Sequence, residues 1–284
     1  MAEGSPFADL PPLRDVIATH GLRAAKSLGQ HFLLDLNLTD RIARNAGDIS
    51  QGTVIEIGPG PGGLTRSLLG AGARQVIAIE RDRRCVDALD GLVDVADGRL
   101  EIIEADALQV DLTTLGKAPR FIIANLPYNI ATALLIRWLG AADAFQKMNL
   151  MFQREVADRI TALPGSKNYG RLSVLCNWRC ETRLSFGIPA RAFTPPPQVA
   201  SAIVSLTPYK TLPEMADQSD LEAVTAAAFG QRRKMLRSAL KQLDLDIAAL
   251  LADAAIEPTR RAEELSIAEF ARLARSFKSL RKAA

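Results

Sequence analysis

The chain has 284 residues, of which 48% are hydrophobic and 24% charged, with a formal net charge of +3. Such a length can bury a sizeable core and leave a second small domain, the balance is ordinary for a soluble globular protein, and a charge this small does not by itself imply nucleic acid. No apolar run reaches the length of a membrane span, and the opening MAEGSPFADLPPLRD lacks the apolar centre of a signal peptide, so no membrane association and a cytoplasmic location are expected.

In chain order, short apolar runs rich in β-branched residues stand at 53–58 (TVIEIG), 74–80 (RQVIAIE), 99–106 (RLEIIEAD), 120–125 (RFIIAN) and 147–153 (KMNLMFQ). Helical periods lie between most of them. DRRCVDALDGLV puts Val86, Leu89 and Val93 on one face behind an Asp82 cap, and NIATALLIRWL follows an expected Asn129 cap. Strands alternating with helices predict a parallel, doubly wound α/β sheet with ligands at the strand C-termini. FTPPPQ (193–198) precedes a further strand candidate, VASAIVSLTP (199–208), so the sheet is expected to end near residue 207. From about 215 the stretches LEAVTAAAFGQRRKMLRSAL and SIAEFARLARSF read as helices with no strand signal between them. The expected organisation is a Rossmann-like first domain over 1–207, with 1–25 as an N-terminal extension, and a small helical domain over 208–284. Cys85, Cys176 and Cys180 are too few for a disulfide framework, and no companion pair completes a metal site; buried thiols and no metal are expected.

The first chemical motif is EIGPGPGG at 56–63, between a strand and a helix, where glycines let backbone N–H groups approach a ligand. Gly58, Gly60 and Gly63 satisfy the dinucleotide pattern G-x-G-x-x-G, and Glu80 follows at the distance of a ribose ligand. A pyrophosphate sits poorly beside Glu56, whereas the sulfonium and amino group of S-adenosylmethionine suit an acidic loop edge. Glu56, Glu80, Asp106 and Asn125 stand at successive strand ends. Helix capping explains any one of them and explains all four poorly. The fourth strand closes in Asn125-Leu126-Pro127-Tyr128, which is more than a turn needs: an Asn beside a Tyr suits a ligand with a hydrogen-bonding edge and a flat face.

With these motifs the chain resembles the ribosomal RNA adenine N6,N6-dimethyltransferase family, in particular the bacterial small-subunit dimethyladenosine transferases. The resemblance is carried by KSLGQHFLLDLNL (26–38), EIGPGPGGLT (56–65), the strand ends at Glu80 and Asp106, NLPYNIAT (125–132), NYGRLSV (168–174), FTPPPQVASAIV (193–204) and FGQRRKMLRSAL (229–240). It implies S-adenosylmethionine as cofactor, surrounded by His31, Leu33, Glu56, Gly58, Gly60, Glu80, Asp106 and Asn125. The family often has Asn where this chain has His31, and His31 is expected at the methionine end of the donor or, alternatively, as a packing residue. For catalysis it implies that the Asn125 side-chain oxygen and the Leu126 carbonyl accept the two N–H bonds of an adenine amine, that Pro127 stiffens the turn, and that Tyr128 and Phe193 stack on the base.

Arg232, Arg233, Lys234, Arg237 and Lys241 form a basic cluster in which 233, 237 and 241 are expected to share a helix face, either solvated or clamping phosphate. The resemblance points to two adjacent adenosines in the 3′-terminal hairpin loop of small-subunit ribosomal RNA on an assembling subunit; no DNA partner and a monomer are expected. Four other readings stay open: resistance-type methylation of large-subunit RNA, which shares the glycine loop and the Asn-Leu-Pro-Tyr type of motif; DNA adenine methylation, in which Pro is expected at position 126; a non-enzymatic assembly checkpoint; and an oxidoreductase.

Overall fold

The computed structural model describes residue 7, residues 9–22 and residues 30–283. Residues 1–6, 8 and 23–25 of the expected N-terminal extension, and residues 26–29 of the 26–38 stretch, lie outside the described residues. Nine strands are assigned in these: β1 (Phe32–Leu33), β2 (Thr53–Ile57), β3 (Gln75–Glu80), β4 (Leu100–Glu104), β5 (Arg120–Asn125), β6 (Lys147–Gln153), β7 (Cys180–Ile188), β8 (Phe193–Thr194) and β9 (Ser201–Pro208).

The main sheet runs β4-β3-β2-β5-β6-β9-β7. Strands β4 to β6 pair in parallel, as expected from the alternation, whereas β9 lies antiparallel to β6. All five residues of β2 are buried, as a parallel strand covered on both faces requires. From β2 the chain winds outward to β3 and β4, then returns to place β5 on the other flank of β2. That reversal opens a crevice beyond the C-terminal ends of β2 and β5, where a doubly wound sheet binds ligands. Beneath it, Ile42, Leu64, Leu68, Val76, Phe121, Ile123, Met151 and Ile203 fill a common core.

The structure departs from the expected helices in three places. Asp82 does cap a helix, accepting from the Arg84 N–H, but that helix ends at Ala88 and a second runs Asp90–Val95; Leu89 is buried at the junction while Val86 and Val93 are only half-buried. Asn129 is not a cap: the helix spans Tyr128–Gly140 with Pro127 at the N-cap, because proline's fixed φ already suits a helix start. The stretch from 221 to 240 is two helices, Gln218–Gly230 and Leu236–Ala239, separated where Met235 bridges to Arg261.

By packing, the chain divides into two units, Met1–Ala157 with Arg183–Pro208, and Asp158–Thr182 with Tyr209–Ala284. The helical unit takes in 158–182, so the first unit is not the one contiguous stretch that was expected. The reason is local. Tyr169 is fully buried in the helical unit, edge-on to Phe229 at 5.9 Å, and its hydroxyl donates to the Leu265 carbonyl at 2.9 Å. Phe229 in turn stacks on Phe270 at 5.5 Å, and Trp178 donates its indole N–H to the Glu214 carbonyl. Cys85, Cys176 and Cys180 are buried.

Candidate active site

The crevice begins with an anomaly in β2. Glu56 is 1% exposed, flanked by Ile55 and Ile57 in a fully buried strand. Burial pushes its carboxyl up to about 8, against a 2.7 Å hydrogen bond from the Thr65 hydroxyl and with the neighbouring Glu80 adding to the rise. The chain then turns through the glycine loop. Gly60 has φ +54°, and a Cβ there would lie 3.1 Å from the Phe32 ring; at Gly63 it would lie 2.8 Å from the Leu33 carbonyl oxygen. The glycines therefore let the loop close against β1, which is a packing reason for them as well as a binding one.

At the end of β3, Glu80 accepts three backbone N–H groups: Arg81 and Asp82 at 2.8 Å on one oxygen and Gly60 at 3.2 Å on the other. Burial raises its pKa and these bonds oppose the rise. The carboxylate is thereby fixed to the glycine loop. Asp106 lies two residues beyond the end of β4; one of its oxygens accepts from the Leu108 N–H at 3.0 Å and the other faces Arg81 at 3.1 Å. Helix capping, the plain alternative for these carboxylates, falls to Asp82 instead.

Asn125 closes β5, and its amide nitrogen donates to the His31 backbone carbonyl at 3.0 Å. That bond turns the side-chain oxygen into the remaining acceptor. Pro127 holds the turn, and Tyr128 begins the next helix with its hydroxyl 2.5 Å from that of Ser201. Burial raises the Tyr128 pKa, partly offset by the Ser201 bond. His31, Leu33, Glu56, Gly58, Gly60, Glu80, Asp106, Asn125, Leu126, Pro127 and Tyr128 all line one pocket. Phe193 does not. It is 2% exposed, paired on β8 with Leu33 of β1, and its ring meets His31 edge-on at 6.4 Å. The expected second stacking wall is thus a core residue behind the pocket, because the short β1–β8 pair draws it inward.

Sequence reasoning missed three contributors: Ser201 on Tyr128, the Pro195 carbonyl 2.8 Å from the His31 Nδ1, and Phe32 against Gly60. Each acts across a long stretch of chain, so no local pattern marked it.

In the helical unit, Arg232 is tied to its own surroundings, with donors on Glu263 at 2.8 Å, the Tyr169 carbonyl at 2.8 Å and the Ser166 carbonyl at 3.3 Å. Its guanidinium is a structural strap. Arg233, Lys234, Arg237 and Lys241 are exposed. The expected common helix face of 233, 237 and 241 is absent, since Arg233 precedes the helix Leu236–Ala239 and Lys241 lies in the 3-10 turn Leu240–Leu243.

A buried acid, a carboxylate bolted to a glycine loop and an amide presenting its oxygen beside a tyrosine make a place for a cationic, hydroxyl-bearing ligand next to a flat amine. The profile of the family described as ribosomal RNA adenine dimethylase matches residues 21–279. The protein from Rhodospirillum rubrum named ribosomal RNA small subunit methyltransferase A is 60% identical over 276 residues, 97% of this chain and 96% of its own. Its namesake from Paramagnetospirillum magneticum is 61% identical over 271 residues, 95% and 96% of the two chains. Among solved structures, a dimethyladenosine transferase from Plasmodium falciparum superposes with a TM-score of 0.75 at 26% identity, over 88% of this chain and 98% of that one. A 23S rRNA methyltransferase, ErmE, shares the fold with a TM-score of 0.65 at 24% identity, over 87% of this chain and 99% of that one. With its pocket built from the residues described and the match running through both units, the chain belongs to the ribosomal RNA adenine dimethylase family, and it is a methyltransferase.

Proposed function

We propose that the protein uses S-adenosylmethionine to dimethylate N6 of two adjacent adenosines in the 3′-terminal hairpin loop of small-subunit ribosomal RNA, on an assembling subunit. One observation carries the chemistry: the Asn125 amide nitrogen is engaged by the His31 carbonyl, which leaves its oxygen to accept from an adenine amine. The names of the relatives at 60% and 61% identity support the small-subunit substrate.

The pocket fits the donor. Glu80 offers a backbone-anchored carboxylate to a ribose diol, Asp106 a polar edge to a purine, and Glu56 a buried acid that a neighbouring cation favours in its ionised form. Three acids in the same pocket disfavour a pyrophosphate, and with it the oxidoreductase reading. When bound, S-adenosylmethionine supplies a methyl group on a sulfonium leaving group.

The remaining work belongs to the chain. An adenine amine is a poor nucleophile while its lone pair is delocalised into the ring. Asn125 Oδ1 and the Leu126 carbonyl accept its two N–H bonds, favour a tetrahedral nitrogen and stabilise the positive charge that develops there. Pro127 keeps these acceptors in place, and Tyr128, tethered by Ser201, holds the flat face of the base. Bases of a loop are already unpaired, so presenting one costs little. Arg233, Lys234, Arg237 and Lys241 supply phosphate contacts. The experiment is mass mapping of methylated nucleotides after incubation of the protein and S-adenosylmethionine with unmethylated small subunits. Dimethyladenine at two adjacent positions of the 3′-terminal loop is expected; methylation of large-subunit RNA only, or of no adenine, rejects the proposal.

A further inference from the structure

We infer that Ser201 is a positioning residue for the acceptor base: its hydroxyl fixes the tilt of the Tyr128 ring, so that the ring face is set before the base arrives. The inference rests on the adenine-methylation reading above and names a residue that the motif around Asn125 does not contain. Tyr128 lines the pocket, whereas Ser201, buried in β9, is not among its lining residues. Whatever Ser201 does for the reaction it therefore does through Tyr128. The two hydroxyls meet at 2.5 Å although the residues stand 73 positions apart in the chain.

Both ends of this bond are anchored. Tyr128 is the first residue of the helix Tyr128–Gly140, directly behind Pro127, so the helix start places its Cα. Ser201 is 0% exposed and opens β9, where it stands across from Gln153 of β6. Beside it the Ala200 carbonyl accepts from the Arg154 N–H at 2.8 Å. A residue held this way in a sheet does not follow a half-buried side chain; the side chain follows it. Tyr128 is thus pinned at its Cα and at its hydroxyl, which fixes the long axis of the ring. Conjugation of the phenol oxygen favours hydrogen bonds near the ring plane, which sets the direction of the face as well. A ring already ordered loses little rotamer freedom when a base stacks on it. The plain alternative is that Ser201 only satisfies a hydroxyl that the fold has buried, with no effect on the base.

The test is a double-mutant cycle. Ser201→Ala removes one side of the bond, and Tyr128→Phe removes the other while keeping the ring. For each variant and for the pair, kcat and KM for unmethylated small subunits are measured at saturating S-adenosylmethionine, with donor affinity by calorimetry. Each single variant should raise KM by about fivefold, the lower end of what one stacked base contributes. The loss belongs in KM because the ring meets the base in the ground and transition states alike, so kcat and donor affinity should stay within about twofold. The double variant should be no worse than either single one, since both remove the same interaction. An unchanged KM in Ser201→Ala would reduce Ser201 to a part of the fold and overturn the inference. A further rise in the double variant would show Ser201 acting by a route other than Tyr128, and a fall in donor affinity would place its effect on the donor side; either overturns it too. Failure of the adenine-methylation reading shows separately, as absence of methyladenine with the unaltered protein, and takes this inference with it.

Discussion

Asn125 and Glu80 each close a strand of the main sheet at the crevice. In the proposed mechanism Asn125 acts on a charge that grows in the transition state, whereas Tyr128 holds the base throughout, and only interactions of the first kind lower the rate without weakening binding. Asn125→Ala should therefore cut the methyl-transfer rate at saturating donor by about a hundredfold or more, the usual loss for one preorganised polar group, with affinity for unmethylated subunits little changed. Single-turnover rates at saturating S-adenosylmethionine check this, and a near-parental rate would remove Asn125 from the mechanism. Glu80 is held by three backbone N–H groups, so its carboxylate loses little freedom on binding a diol. Charge-assisted hydrogen bonds contribute roughly 1.5–3 kcal/mol each, and Glu80→Ala should weaken donor binding by a few kcal/mol. Calorimetry below the variant's unfolding temperature measures it; affinity within twofold of the parent contradicts the assignment.

At the scale of elements, the C-terminal ends of β2, β3 and β5 deliver Glu56, Glu80 and Asn125 to one crevice because the strand order reverses between β2 and β5. These strands were legible in the sequence: buried parallel strands are runs of Val, Ile and Ala that no surface helix would carry. The edge strand β7 was not. CETRLSFGI mixes Glu181, Arg183 and Ser185 with few apolar residues, so it shows no buried apolar run although it pairs with β9 at the sheet edge. The basic segment was legible as charge and not as shape, since helical spacing from Phe229 to Leu240 hides the turn that ends one helix at Gly230. Its prediction survives that correction, because phosphate attraction needs exposed cations more than a common helix face. Replacing Arg233, Arg237 and Lys241 by Gln should flatten the slope of log affinity for subunit RNA against log salt by about 0.7–0.9 per lost contact, with donor affinity unchanged. A filter-binding salt titration with an unaltered slope would return these residues to solvated surface.

Across the whole molecule, the buried acid in β2 ties stability to pH. The Glu56 pKa is about 8 in the folded chain against an ordinary 4.5, so between these values the unfolded chain releases a proton that the folded chain keeps. Its contribution is complete below the lower value and fades as pH rises through the upper one, at up to about 1.4 kcal/mol per pH unit. Donor-free Glu56→Gln should accordingly lose less stability than the parent between pH 5 and 8, read as a flatter dependence of the denaturant midpoint. Parallel curves would mean that Glu56 is already ionised in the fold.

The sequence by itself determined the α/β class, the succession of most strands along the chain and most of the residues that line the crevice, because strand alternation, glycine turns and terminal polar residues are local properties that a linear pattern carries. Only the tertiary structure decided that 158–182 joins the helical unit, that Phe193 is core, that Arg232 is a strap and that His31 meets Tyr128. Each of these depends on a partner distant along the chain: Leu265 for Tyr169, Leu33 for Phe193, Glu263 for Arg232, Pro195 for His31. A residue's own type and neighbours state which contacts it can make, and burial against a particular distant partner selects which one it does make.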